Sequence, residues 1–127
     1  MVKKEFTYKG KSEAQLSQLS IQQFAALIPS RIRRKIRRGF TPLEQTFLRK
    51  VEKNEKNLET HCRDMPILPV MFGKTIKVYT GKEFQILAVN AEMSGHVLGE
   101  FALTRKGVKH NAPGIGATKS SAAMSVK

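Results

Sequence analysis

The run Thr75-Ile76-Lys77-Val78-Tyr79 alternates with the two-residue period of a strand buried on one face. Thr80-Gly81 follows, with a glycine free to take the positive φ of a tight turn, and the chain returns through Glu83 to Val89 as a partner strand. A two-stranded hairpin is not stable alone, so this stretch obliges the rest of the chain to supply cover. Two segments are suited to that task. Leu98 to Leu103 reads as a third strand, and an amphipathic helix precedes the hairpin. That helix opens at Thr41-Pro42-Leu43-Glu44, with a capping threonine, proline at the first helical position and glutamate three residues after the cap. Leu43, Phe47, Val51 and Leu58 continue one face with Leu48 beside it, and Glu52 is spaced to pair with Lys56. Asp64-Met65-Pro66-Ile67-Leu68-Pro69 then leads extended into the sheet, each proline disfavouring helix before it. The expected fold is α+β: a small antiparallel sheet of about three strands covered by one amphipathic helix.

Upstream of Thr41 the pattern is helical. Phe6 and Tyr8 lie on one side of an extended start that turns at Gly10. Ser12 with Gln15 and Ser20 with Gln23 are two capping-box patterns, and Phe24, Leu27 and Ile28 form an apolar stripe that Pro29 should end. Next come Ser30-Arg31-Ile32-Arg33-Arg34-Lys35-Ile36-Arg37-Arg38-Gly39, six cations within eight residues. With Ser30 as cap and Gly39 as stop, Ile32 and Ile36 align as an anchor stripe and the cations cover the remaining circumference. Such a helix repels itself unless anions lie close by, and the arginine fork suits phosphate.

Charge divides the chain of 127 residues into three parts. Residues 1–40 hold ten basic and two acidic side chains, residues 41–104 eight of each, and residues 105–127 five basic and none acidic. A basic helical arm (1–40), a neutral compact core (41–104) and a flexible basic tail (105–127) are therefore expected, a distribution suited to a polyanion. The tail, rich in small residues, lacks the apolar bulk to fold alone. Its candidate contacts are Arg105, Lys106, Lys109, His110 and Lys119; Lys74, Lys77 and Lys82 surround the hairpin. The single cysteine, Cys62, permits no internal disulfide, and no apolar run has the length of a signal peptide or membrane span, so a cytosolic protein without a membrane partner is expected.

Catalytic and metal patterns fail on spacing. His61 and Cys62 are adjacent, His96 and His110 are distant, and no CxxC or HxxxH exists, so neither metal nor cofactor is implied. A phosphate loop ending in Lys119-Ser120 would need glycines where Pro113 and Thr118 stand. Glu92 and Glu100 near His96 lack a nucleophile, which argues against an enzyme; His96 between Gly95 and Gly99 suits a base or phosphate contact or a structural hydrogen bond. The competing reading is a DNA-binding helix-turn-helix over residues 20–38 with the basic helix at 30–38 in a major groove. Against it, Pro29-Ser30 leaves a very short turn, and the basic helix lacks the Asn or Gln side chains that read adenine.

Taken in order, these segments resemble the small-subunit ribosomal protein of family nineteen in its archaeal and eukaryotic branch. The resemblance is carried by Arg33-Arg34 through Arg37-Arg38-Gly39, Leu48-Arg49-Lys50-Val51, Pro69 to Gly73, Thr75 to Tyr79 with Gly81-Lys82, and Met93-Ser94-Gly95-His96 through Leu98-Gly99-Glu100-Phe101 to Thr104-Arg105. The ending His110-Asn111-Ala112-Pro113-Gly114-Ile115-Gly116-Ala117-Thr118-Lys119-Ser120-Ser121 is similar to that branch's tail. Val70, Phe72, Thr80 and Val97 depart from the family's usual residues. The resemblance implies a ribosomal protein of the small-subunit head that binds ribosomal RNA beside a neighbouring protein of family thirteen. Its tail would reach towards the decoding region and transfer RNA in the aminoacyl site. It places Lys82, His96, Thr104 and Arg105 close to RNA and makes the basic helix an additional contact of this branch.

Overall fold

A computed structural model describes residues 2–109 and Gly114. Strands β1 (Thr7–Tyr8) and β2 (Lys11–Ser12) form a small hairpin and lead into helices α1 (Glu13–Ser17), α2 (Ile21–Leu27), α3 (Ser30–Arg38) and α4 (Pro42–Glu52). Strands β3 (Glu59–Thr60), β4 (Thr75–Tyr79) and β5 (Phe84–Ala88) make one sheet in the order β3-β4-β5, and three 3-10 turns occupy Pro69–Met71, Ala91–Met93 and Leu98–Phe101.

Local signals acted where they were written. Ser12 with Gln15, Ser20 with Gln23 and Thr41 with Glu44 all close as reciprocal capping boxes, satisfying backbone donors that a helix start leaves free. At Ser30 the expectation is corrected: Pro29 is the N-cap, Ser30 is the first helical residue, and no side chain caps α3. Pro29 carries a fixed φ and extended ψ, which sets the bend out of α2 without a capping hydroxyl. Gly39 ends the helix at φ 90°, as expected.

β4 and β5 pair antiparallel from Thr75 opposite Ala88 to Tyr79 opposite Phe84, across the four-residue loop Thr80–Glu83. The third strand differs from expectation. Leu98 to Leu103 is not a strand; Glu59–Thr60 fills that role, parallel to β4, so the sheet is mixed. Hydrogen bonding explains the exchange. Gly99 donates its N–H to Arg63 O, while the Arg63 guanidinium donates to the carbonyls of Gly99 and Ala102. Backbone groups that a strand would offer a neighbour are thus already engaged, and the segment closes into a 3-10 turn.

Ile76, Val78, Leu87 and Val89 point inward to Phe47 and Val51 of α4 and to Met65, Ile67, Leu68, Met71 and Leu98. Residues expected as an arm enter the same core, since Leu16, Phe24, Ile28 and Ile32 belong to this cluster. On α4, Leu43 is exposed and Glu44 is buried, so the apolar face starts at Phe47; the helix ends at Glu52, short of the proposed partner Lys56. Gly95, at φ 84°, allows close docking of the N-terminal hairpin: a Cβ there would sit 2.7 Å from Tyr8 Oη. Burial raises the pKa of that phenol. The other sheet face, carrying Lys77, Tyr79, Phe84 and Ile86, points away from this core, and Ile86 is 67% exposed.

Candidate nucleic-acid interface

The basic helix α3 sits between α2 and α4 with Ile32 buried and Ile36 half-buried. At ~100° per residue, these two isoleucines divide the helix surface into two cationic sides. Arg31, Arg34, Lys35 and Arg38 share one side, and Arg33 and Arg37 share the other. The first group lines a shallow groove with Gly39, Thr41 and Glu44. The second lines a groove against Gln22, Ala25 and Ala26 of α2.

The six cations do different work. Arg33 donates from Nε to Ala25 O at 3.0 Å and from Nη2 to Ile28 O at 2.9 Å and Ala26 O at 3.3 Å. These are carbonyls at the end of α2, so the guanidinium satisfies acceptors that the helix terminus leaves free. Lys35 donates to buried Glu44 at 2.7 Å. Burial pushes the Glu44 pKa up, but the hydrogen bond from Lys35, the Thr41 N–H and the lysine charge outweigh it and hold the carboxyl below its ordinary 4.5. Glu44 therefore joins α3 to α4 while closing the capping box on Thr41. Arg31, Arg34, Arg37 and Arg38 are exposed, and no carboxylate pairs with them among the described residues. Arg37 and Arg38 also lie in the last turn, where cations favour the helix dipole.

The hairpin residues divide similarly. Lys74 Nζ donates to Val51 O at 2.5 Å and caps the end of α4. Lys77 pairs with Glu59 at 3.4 Å across the β3–β4 edge, whereas Lys82 stands exposed in the β4–β5 loop. His96 Nδ1 lies 2.5 Å from Glu100 Oε2, and its ring meets the Phe101 ring edge-on at 5.7 Å between centroids. Thr104, Arg105, Lys106 and Lys109 are exposed; Lys106 reaches Glu83 at 3.4 Å, which brings this segment past the hairpin loop. His110 and Lys119 lie outside the described residues.

Two features of the site were not anticipated. Arg63, which directly precedes the Asp64–Pro69 lead-in, donates from Nη1 to Tyr79 O at 2.7 Å and from Nη2 to Gly99 O at 2.8 Å and Ala102 O at 2.5 Å. No local pattern announces partners that distant in sequence. His61, Tyr79 and Phe84 meet on the outer sheet face, with centroids 4.5 to 5.2 Å apart. Here a signal existed, since Tyr79 and Phe84 bracket the hairpin loop and must face each other once it closes.

Among the described residues no group of His, Cys, Asp or Glu is arranged to hold a metal, and no helix is long and apolar enough to cross a membrane. The fold and surface define a small α+β scaffold that presents an arginine-bearing helix, the kind of protein that binds a polyanion through its backbone.

Comparison with known proteins makes this class specific. The family model described as ribosomal protein S19 matches residues 34–110. A protein of Methanocella arvoryzae named small ribosomal subunit protein uS19 is 47% identical over 125 residues, covering 98% of this chain and 89% of its own length. The chain belongs to the ribosomal protein S19 family. It is a structural protein of the small ribosomal subunit and not an enzyme.

Proposed function

We propose that this protein binds ribosomal RNA of the small-subunit head, chiefly by neutralising phosphates along α3. The observation that carries the reading is the division of labour on that helix. Arg33 and Lys35 tie it to α2 and α4, and Arg31, Arg34, Arg37 and Arg38 are left exposed on a fixed frame. Arginines held exposed on an anchored helix suit the phosphates of a folded RNA, and recognition then follows shape more than base sequence. Lys82, His96, Thr104, Arg105, Lys106 and Lys109 extend the contact, with Lys74 and Lys77 adding to the field from their paired positions. His110 and Lys119 belong to a basic tail that reaches towards the decoding region and transfer RNA in the aminoacyl site. The neighbouring protein partner is that of family thirteen, and the ribosome it joins is cytoplasmic.

Binding of the full chain to a head-domain fragment of small-subunit ribosomal RNA, compared with an equal-length random duplex at two salt concentrations, tests the reading. With ~6 to 10 phosphate contacts, affinity should fall by roughly 10³- to 10⁵-fold between low and moderate salt. The fragment should remain preferred throughout. A shallow salt dependence, or a preference for a palindromic DNA duplex, would refute it.

A further inference from the structure

We propose that the outer face of the β3-β4-β5 sheet is a stacking site for an unpaired nucleobase of RNA, centred on His61, Tyr79 and Phe84. The inference rests on the RNA-binding reading above and adds to it a second site of different chemistry, on the sheet rather than on α3.

Three observations carry it. The first is that the rings form a single cluster: His61 and Tyr79 are 4.5 Å apart at 46°, Tyr79 and Phe84 5.1 Å at 56°, and His61 and Phe84 5.2 Å at 79°. Tyr79 and Phe84 are paired residues of β4 and β5, and His61 directly follows β3, so the backbone fixes the platform before any ligand arrives. Next, this face is turned away from the core and remains partly open to solvent. His61 is exposed, Tyr79 and Phe84 are half-buried, and Ile86 beside them is 67% exposed, while the core lies on the opposite side of the sheet. Exposed apolar surface of this kind marks a contact.

The border of the patch then selects the occupant. Lys77, Lys82, Arg105 and Lys106 stand against Glu59 and Glu83, and those carboxylates engage Lys77 and Lys106. Arg63 joins Tyr79 O to Ala102 O, and Lys106 reaches Glu83, so the basic segment after Ala102 passes from the end of β4 to the β4–β5 loop that Tyr79 and Phe84 bracket. The remaining charge, on Lys82 and Arg105, is positive. An apolar aromatic floor beside uncompensated cations complements a nucleotide, whose base has a π face and whose phosphate is an anion. The imidazole nitrogens and the Tyr79 hydroxyl add polar atoms that a base edge or a ribose 2′-hydroxyl can meet. Bases inside a duplex keep their faces stacked, so the ligand class is a base from a loop, a bulge or a single strand.

The test uses the full chain and a short single-stranded RNA carrying the fluorescent base 2-aminopurine, with a blunt duplex of equal length as comparison. Wild-type protein should quench the single strand, and the His61 ring protons should move upfield in NMR spectra on adding the single strand but not the duplex. Tyr79→Leu with Phe84→Leu should weaken single-strand binding about tenfold or more, leaving the duplex affinity and the salt slope unchanged, because no charge is removed. The ring-proton shift is read on wild-type protein, so it stands even if the double variant folds poorly. The proposal is overturned if the folded double variant binds the single strand as wild type does, or if the His61 protons do not move. If in that case Arg31→Gln with Arg34→Gln and Arg38→Gln still abolishes binding, the RNA reading survives and the stacking site falls alone. Wild-type protein that binds neither RNA sinks both. Unchanged RNA binding by the double variant, with loss of association to a neighbouring subunit protein, would assign the face to a protein and overturn the nucleobase assignment.

Discussion

Replacing Arg63 by methionine should cost the fold about 3 kcal/mol, through the hydrogen bonds of its charged end. Its guanidinium serves three carbonyls, of Tyr79 at the end of β4, Gly99 in the last 3-10 turn and Ala102 beyond it. Hydrogen bonds that involve a charged group contribute about 1.5–3 kcal/mol each, and three would suggest more than the stated loss. The site is half-buried, however, so water can reach part of what methionine abandons, and the loss is set below the three-bond sum, at about 3 kcal/mol. Arg63→Lys should lose about 2 kcal/mol, because an ammonium cannot span carbonyls that a planar fork meets together. Urea unfolding followed by circular dichroism measures both. With a slope of roughly 1–3 kcal/mol per molar, the methionine variant's midpoint should drop by about 1–3 M at unchanged slope. A loss below about 1 kcal/mol would refute the reasoning, since it would mean that water satisfies these carbonyls as well as arginine does.

Glu44→Gln should destabilise at neutral pH and progressively less in acid. The folded carboxyl titrates below its ordinary 4.5, so its stabilising contribution is present above that value and is lost as pH falls through the folded pKa. The gap between the urea midpoints of wild type and variant should narrow as pH falls from 7 towards 3; parallel curves would contradict the Lys35–Glu44 pairing. Gly95→Ala should cost about 2 kcal/mol or more, from the positive φ together with the 2.7 Å approach to Tyr8 Oη, whereas Gly107→Ala, with nothing within 4 Å, should be close to neutral. In a Tyr8→Phe background the Gly95→Ala penalty should shrink but persist, because the nearest atom is gone while the backbone strain stays; thermal unfolding of the four proteins checks this. Replacing Arg31, Arg34 and Arg38 together by glutamine should flatten the slope of log affinity against log salt for the head RNA fragment by about two to three, with stability little changed. A slope change of about one on replacing Arg33 or Lys35 alone, as large as that per exposed arginine, would contradict the anchoring roles assigned to them.

The parts of this fold that could be read from residue order are those whose cause lies within a few positions. Three Ser/Thr-x-x-Glu/Gln patterns became capping boxes because donor and acceptor sit three residues apart, and β4 and β5 follow from period-two alternation around a loop. β3 escaped because two residues, Glu59–Thr60, carry no period, and only the long-range parallel pairing with β4 makes them a strand. Leu98 to Leu103 failed for the converse reason: an apolar run was available to a sheet, but Arg63 took its carbonyls. α3 shows the same limit at the site itself. Along the chain, Arg31, Arg33, Arg34, Lys35, Arg37 and Arg38 are six similar cations, and their number alone points to a polyanion. Which of them face it depends on acceptors elsewhere, in the terminal carbonyls of α2 and in Glu44 of α4. The anchoring pair limits the number of cations on offer and also holds the helix at a fixed angle to the core. Exposed arginines on a tethered helix are pre-aimed, so RNA binding need not supply the ordering entropy that a free basic segment would require.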